Sequence, residues 1–190
     1  MTVRALLVID IHGYWHAGAG RSSGHHLDAL CERDEEGLPI LPGRQLKGLL
    51  RHAVRRAETW GWFEAFGLPP GPAASHEEIL FGSASQQEAR DGTHPGLLLT
   101  GSAQLQQEDR HWLASQPTTM RETLFGELFS TAINELGSAR AHSLRGSEGA
   151  LPCCLHAWVE ALPTALAVDR RRQQDDYIRE GLPWKSLQAA

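Results

Sequence analysis

The stretch GLPILPGRQLKGLLRHA, from Gly37 to Ala53, carries the strongest structural signal in this chain of 190 residues. Its first seven residues include two glycines and two prolines, which exclude a helix interior and predict a short extended piece entering a turn. After Gly43, apolar residues recur at helical spacing over residues 44–59 and predict a helix with one face in the core. The predicted core stripe consists of Leu46, Leu49, Leu50, Ala53, Val54 and Ala57.

Basic residues line a second edge of the same predicted helix. Arg44, Lys47, Arg51 and Arg55 recur three and four positions apart, so their charges follow one side. The whole chain has a formal net charge of −5, which argues against a protein that binds nucleic acid through its overall charge. Local clustering still permits this edge to contact phosphates, and the alternative is a solvated helix face.

Upstream of the helix, the sequence predicts a strand and then a glycine-rich loop. Between Thr2 and His12, apolar and mixed residues alternate, which predicts a strand that we interpret as buried. Residues 13–24 include four glycines and two serines, a composition that permits positive φ and close backbone approach to a ligand. The loop matches neither a dinucleotide fingerprint nor a phosphate-binding P-loop. A solitary acid, Asp28, follows it.

Downstream of the helix the periodicity is weaker. Trp60, Trp62, Phe63 and Phe66 are predicted to close the core. Residues 95–105 and 153–162 are predicted strands, with a polar excursion over 104–119 between them. Residues 123–137 have helical spacing, although Ile133 fits a hairpin equally well, and the tail from Asp169 predicts a last helix before Leu182.

The cysteine count and the first apolar run bear on the compartment. Three cysteines are an odd number without zinc-ligand spacing, which favours a reducing compartment. The run from Ala5 to Ile9 is too short for a membrane span. We therefore expect a cytoplasmic protein with no membrane association, folded as one domain over residues 1–190.

Three segments, in this order, resemble the RAMP superfamily, and specifically the backbone subunits of type III CRISPR effector complexes. They are HAGAG at 16–20, LDALCER at 27–33, and the stretch 37–53, which is similar to the family's PGSSLKG signature. Weaker similarity extends the resemblance over about residues 12–162 and leaves 163–190 as a divergent tail. The resemblance implies an α+β, modified ferredoxin-like (RRM-like) domain with an inserted β-hairpin thumb. The C-terminal half of that domain looks shortened here.

The same resemblance implies a CRISPR RNA-binding subunit in antiviral defence, stacked with neighbouring RAMP subunits and other effector subunits along the guide. It also implies that Asp28 cuts target RNA opposite a base splayed out by the thumb. A solitary carboxylate can do this chemistry by taking the proton of a ribose 2′-hydroxyl directly, or by holding Mg²⁺ or another divalent cation whose bound water takes it. The alternative is that Asp28 has no catalytic role and is a surface or capping aspartate in a loop. Two other functions stay open: a non-catalytic structural RNA-binding subunit, and a metal-independent guide-processing endoribonuclease that uses His25 or His26.

We expect RNA contacts from the glycine-rich loop, the two histidines after it, the start of the basic helix and two later arginines. These residues are His16, Gly18, Gly20, Arg21, His25, His26, Arg44, Gln45, Lys47, Arg51, Arg140 and Arg145. Arg44 and Gln45 stand where the family favours two serines. Side-chain contact is therefore expected to replace some close backbone approach at this point.

Overall fold

The structure, a computed structural model, describes residues 3–24, 26–65, 75–83, 95–162, 176–178 and 181–189. The chain divides into two compact units. Unit 1 comprises residues 1–6, 43–101 and 158–190, and unit 2 comprises residues 7–42 and 102–157.

Helices and strands are mixed, and the strand pairs with a defined register are antiparallel. The strands are β1 Val3–Ile11, β2 Leu98–Thr100, β3 Gln104–Leu105, β4 Phe125–Ser130, β5 Arg145–Ala150 and β6 Cys153–Ala161. The helices are α1 Gly43–Thr59, α2 Trp62–Ala65, α3 His76–Phe81, α4 Gln107–Ala114, α5 Thr118–Glu122 and α6 Leu182–Ala189. The predicted α+β class is confirmed at this level.

Unit 1 is built on helix α1, which contacts α2, α3, α6 and strand β2. The helix begins at Gly43, one residue before the predicted range, and Gly43 lies against β2, where a Cβ atom would be only 2.5 Å from the Thr100 carbonyl oxygen. Leu46, Val54 and Ala57 are buried as predicted. Leu49 is 59% exposed, because turns of about 100° per residue carry it beyond the edge of the buried stripe.

The sheet has the strand order β1-β6-β2, and β3 also pairs with β6. Strand β1 alternates as predicted, with Ala5, Leu7 and Ile9 half-buried. Its interpretation as a buried strand is wrong, since Leu6 is 45% and Val8 53% exposed. The physical reason is that successive side chains of a strand point to opposite faces, and the face that carries Arg4, Leu6 and Val8 is open to solvent.

Unit 2 contains the hairpin formed by β4 and β5. Its register pairs Phe125 with Ala150 and Ser130 with Arg145. A bridge between Ile133 and Ala139 continues the pairing into the connecting loop. The helical prediction for residues 123–137 is therefore wrong and the hairpin alternative is right, because cross-strand hydrogen bonding overrides a weak helical period.

Other predictions for the second half of the chain have mixed outcomes. The predicted strand 95–105 is two short strands, β2 and β3, and the excursion after it forms α4 and α5. Phe63 is buried, but Trp60 is 56% and Trp62 38% exposed, so the prediction that they close the core is wrong. Phe66 and residues 169–175 of the tail lie outside the described residues. Among the described helices, none has the length and apolar character that crossing a bilayer requires.

Candidate nucleic-acid interface

The glycine-rich loop and the segment after it fold back on each other in unit 2. The Ala19 amide donates to the Leu30 carbonyl at 2.9 Å, and the Leu30 amide donates to the Arg21 carbonyl at 3.1 Å. Gly20 and Gly24 have φ of +70° and +59°, a region that favours glycine. The expected positive φ in this loop is confirmed, and the loop has a defined backbone path.

This folded loop is anchored on strand β5. The Asp28 amide donates to the Gly146 carbonyl at 2.7 Å, and the Glu148 amide donates to the Ala29 carbonyl at 2.9 Å. A Cβ atom at position 146 would lie 3.0 Å from the Leu27 side chain. The glycine therefore permits the close approach that brings Asp28 to the hairpin.

One carboxylate oxygen of Asp28 accepts a backbone hydrogen bond, and the side chain as a whole is exposed to solvent. Its Oδ2 accepts a hydrogen bond from the Gly146 amide at 3.0 Å. Its Oδ1 lies 3.9 Å from the Arg145 guanidinium, and the two side chains are 54% and 71% exposed. The arrangement offers a fixed carboxylate beside an exposed cation, which suits it to act as a base next to a bound phosphate.

His16 is fixed from inside the loop. Its Nδ1 lies 2.7 Å from the Glu148 carbonyl oxygen and 3.4 Å from the Cys31 sulfur. Burial, followed by the Glu148 charge, raises the pKa of the Cys31 thiol. Since the thiolate is the reactive form, this cysteine is a structural packing group. The imidazole of His16 keeps an exposed surface that a ligand could contact.

His26 is paired with an acid that the sequence did not single out. Its Nε2 lies 2.7 Å from Glu127 Oε1, and its ring meets Phe129 edge-on with centroids 6.5 Å apart. Strand β4 therefore orients His26 beside the same hairpin that holds Asp28. His25 lies outside the described residues.

A buried ion pair beneath the loop was also missed by sequence reasoning. Glu148 is 8% exposed; it accepts from the Cys31 amide at 2.9 Å and from the Arg33 guanidinium at 2.7 Å. Arg33 also donates to Glu122 at 2.8 Å and lies 3.8 Å from the centre of the Phe125 ring. The available signal was a single acid within the small residues of RGSEGA, a strand that packs closely.

The predicted basic edge of α1 is engaged inside unit 1. Lys47 donates to the Leu98 carbonyl at 3.0 Å, and burial, followed by the charge of Arg51, lowers its pKa. Arg51 donates to Glu77 at 2.6 Å, and Arg55 donates to both oxygens of that carboxylate at 2.7 and 2.6 Å. Lys47, Arg51 and Arg55 therefore each have an internal hydrogen-bond partner, and the contact of Lys47 and Arg51 with RNA stays a prediction.

The remaining predicted contacts are more accessible. Arg44 is exposed and makes no side-chain hydrogen bond or ion pair with the part of the chain described, whereas Gln45 is half-buried. Arg21 is exposed on the folded loop. Arg140 and Arg145 line one shallow cleft beside the hairpin loop, together with His142 and Ser143. The structure thus brings Asp28, Arg145 and Arg140 to one hairpin.

A metal ion would find few protein ligands here. Within the described ranges, no group of three or more His, Cys, Asp or Glu side chains is arranged to hold one. Asp28 supplies one carboxylate, one of whose oxygens already accepts a backbone amide. Mg²⁺ commonly keeps several waters and binds one or two carboxylates plus phosphates, so a ligand set completed by RNA fits this chain and a cage made by protein alone does not.

Comparisons with known proteins concern the family and the fold of this chain. The family model described as RAMP superfamily matches residues 8–145. No curated protein sequence matches. A chain in the cryo-EM structure of Type III-B Cmr-beta bound to cognate target RNA has a TM-score of 0.60 at 8% identity, covering 93% of this chain and 87% of that one. A chain in the apo-state structure of Type III-B Cmr-beta has a TM-score of 0.56 at 9% identity, covering 95% and 88%. At these identities the likeness is one of fold.

Proposed function

This chain belongs to the RAMP superfamily, and from that premise we propose that it is an RNA-binding backbone subunit of a type III CRISPR effector that cuts target RNA at Asp28. The observation that carries the proposal is the accessible Asp28 carboxylate, fixed by the Gly146 amide beside Arg145. The fold is shared with chains from two structures of Type III-B Cmr-beta, one of which is of Cmr-beta bound to cognate target RNA. This likeness supports CRISPR RNA, target RNA and other effector subunits as partners. A cytoplasmic location follows from such partners.

The RNA-binding surface in this proposal is the folded loop together with the exposed arginines of unit 2. Backbone amides in the loop and the guanidinium groups of Arg21, Arg140 and Arg145 are suited to phosphates. The β4–β5 hairpin is the candidate for the thumb of the family, since it projects the exposed side chains of Ile133 and Leu136. His16, Gly18 and Gly20 shape the loop around the guide.

The proposed reaction is an internal transesterification of the target strand. Asp28 removes the proton from a ribose 2′-hydroxyl, the 2′-oxygen bonds to the adjacent phosphorus, and the bond from phosphorus to the 5′-oxygen breaks. The 5′-oxygen takes a proton from water, and Arg145 offsets the negative charge on the phosphate. A divalent cation bound at the Asp28 carboxylate and RNA phosphates would supply Lewis-acid stabilisation.

The test replaces Asp28 by Asn in the assembled complex. The Asn side-chain oxygen can still accept from the Gly146 amide, so the loop keeps its anchor while the base is lost. We expect cleavage of a complementary target RNA to fall by about 10² to 10⁴. Guide and target binding should be unchanged, since affinity comes from many phosphate contacts.

Asp10→Asn is the matched control, because it removes an exposed carboxylate on β1 and should leave cleavage unchanged. Cleavage by Asp28→Asn at the wild-type rate would instead favour the non-catalytic structural subunit. A 2′-deoxy substitution at the scissile position should reproduce the Asp28→Asn defect.

A second candidate function rests on the His26–Glu127 pair, an imidazole held by a carboxylate at 2.7 Å. Such a pair suits metal-independent acid–base cleavage of a guide precursor. Cleavage that persists in a chelator and is lost in His26→Ala would favour this function over the first.

A further inference from the structure

Two tryptophans just after the C-terminal end of α1 are exposed and lie outside the core of unit 1: Trp60, and Trp62 at the start of α2. The Trp60 amide donates to the Arg56 carbonyl at 2.9 Å, and the Gly61 amide donates to the Glu58 carbonyl at 3.1 Å. Gly61 has φ of +70°, which ends the helix and turns the chain directly into α2. The next residue but one, Phe63, is buried, so this segment is anchored without either tryptophan.

The Gly61 turn brings the two indole rings together. Their centroids are 5.0 Å apart with 57° between the planes, and Trp60 and Trp62 are 56% and 38% exposed. The Arg56 guanidinium lies 5.4 Å from the centre of the Trp60 ring. The rings are tilted and not stacked face to face, so each keeps an aromatic surface available.

The solvent face of α1 that leads to these rings is cationic. Arg44 and Arg56 are exposed on it, with Gly48 and His52 between them. The single acid of this helix, Glu58, is used elsewhere, since its carboxylate accepts from the amides of His76 at 2.5 Å and Glu77 at 3.2 Å. The face therefore combines positive charge with an aromatic end.

We propose that Arg56, Trp60 and Trp62 form a stacking site for unpaired bases of single-stranded RNA, with phosphates following α1 towards Arg44. Aromatic rings that stack bases beside cations that track the backbone are the common means of holding single strands. Arg44 and Arg56 are ~18 Å apart along the helix, which leaves room for several nucleotides. The proposal rests on RNA being the ligand of this protein, but it assigns residues of unit 1, whereas Asp28 belongs to unit 2.

Charge favours RNA over a protein as the occupant. Trp and Arg also occur at protein interfaces, but exposed Arg44 and Arg56 extend positive charge along α1 away from the rings, as a phosphate backbone requires. Glu64 of α2 is an exposed acid beside Trp62. An arginine already beside an indole can also stack on a base through its planar guanidinium. The two classes of occupant differ in what removal of the rings should do.

The experiment titrates the full chain with oligouridylate of about 12 nucleotides, a length within the site sizes of single-strand binders. We expect binding to quench tryptophan fluorescence in the wild type. Trp60→Ala with Trp62→Ala should remove most of that quenching and weaken binding on the order of tenfold or more. The slope of log affinity against log salt should stay the same, because an indole carries no charge.

Arg56→Gln should lower that slope by about 0.7, the value for one phosphate contact to a single strand. Trp112→Ala is the matched control, because it removes an indole that is 55% exposed in unit 2, and it should change neither affinity nor the binding-induced quenching. The Arg56→Gln measurement also tests the site if the double tryptophan variant fails to fold.

Unchanged affinity and quenching in the double variant would overturn the inference. So would a double variant that binds oligouridylate normally yet no longer joins the assembled complex, since the patch would then be a protein-docking surface. A wild-type chain that neither binds nor quenches overturns it as well. The proposed function is judged separately in that case, by the RNA recovered with the assembled complex and by the Asp28 variants.

Discussion

Glu148 ties the folded loop to the hairpin through a single carboxylate. One of its oxygens accepts from the Cys31 amide at 2.9 Å, and the other accepts from Arg33 at 2.7 Å. Burial alone would lower the pKa of Arg33, but its hydrogen bonds to Glu122 and Glu148 outweigh burial and raise it. The guanidinium is therefore charged whenever the protein is folded, and it depends on these two acids.

We expect Glu148→Ala to destabilise the protein by about 3 kcal/mol, the lower end for breaking a buried ion pair, because Glu122 still serves Arg33. Urea denaturation measures the change. Glu148→Gln should cost less, since its amide oxygen can still accept one hydrogen bond. Equal losses in the two variants would show that the charge, and not the hydrogen bonding, holds the loop.

At the scale of elements, α1 and α3 are joined by charge as well as by apolar packing. Glu77 of α3 is 9% exposed, and its carboxylate accepts hydrogen bonds from Arg51 and Arg55 of α1. The hydrogen bond from Arg55 is the main cause that lowers the pKa of Glu77; burial opposes it, and Arg51 adds to it. Arg51, which the sequence predicts to contact RNA, thus holds two helices together in company with Arg55.

This pairing predicts a pH dependence of stability. Because the pKa of Glu77 is lower folded than unfolded, its contribution is present above the ordinary glutamate pKa of about 4.3 and is lost as the pH falls through the lower folded value. The urea midpoint of the wild type should therefore fall as the pH is lowered below about 4.3. Glu77→Gln should flatten part of that fall, and identical pH profiles would contradict the role of Glu77.

At the scale of the whole molecule, large apolar side chains remain exposed on the hairpin loop. Ile133 is 69%, Leu136 90% and Leu144 68% exposed. Exposed apolar groups of this size are typical of surfaces that another macromolecule covers. In a subunit of a larger complex, such groups would be covered only after assembly.

We therefore expect the isolated chain to self-associate, as light scattering would show by a mass above that of a monomer. Ile133→Ser together with Leu136→Ser should reduce the association without lowering stability, because both side chains already face solvent. Leu99→Ser, at an exposed position of β2 in unit 1, is the control for general surface polarity. A wild-type chain that is a monodisperse monomer would refute the expectation.

Sequence by itself was enough for the elements whose signal is local. Helix α1 and strand β1 follow from apolar residues at periods that the backbone imposes within a few residues. The glycine-rich composition of the loop permits the positive φ that Gly20 adopts, since glycine enters that region freely. Membership of the superfamily also followed from short segments whose order along the chain is itself the information.

Tertiary structure decided which side chains are free to act. Arg51 and Glu77 are 26 residues apart in sequence, so no helical period reveals that the cation has an internal partner. The Gly146 amide that orients Asp28 is 118 residues away from it. Trp60 is exposed because other side chains fill the core of unit 1, and the amino-acid composition does not reveal which side chains do so. Periodicity encodes local backbone preference, whereas partners and exposure are properties of the packed chain, and these fix the candidate site.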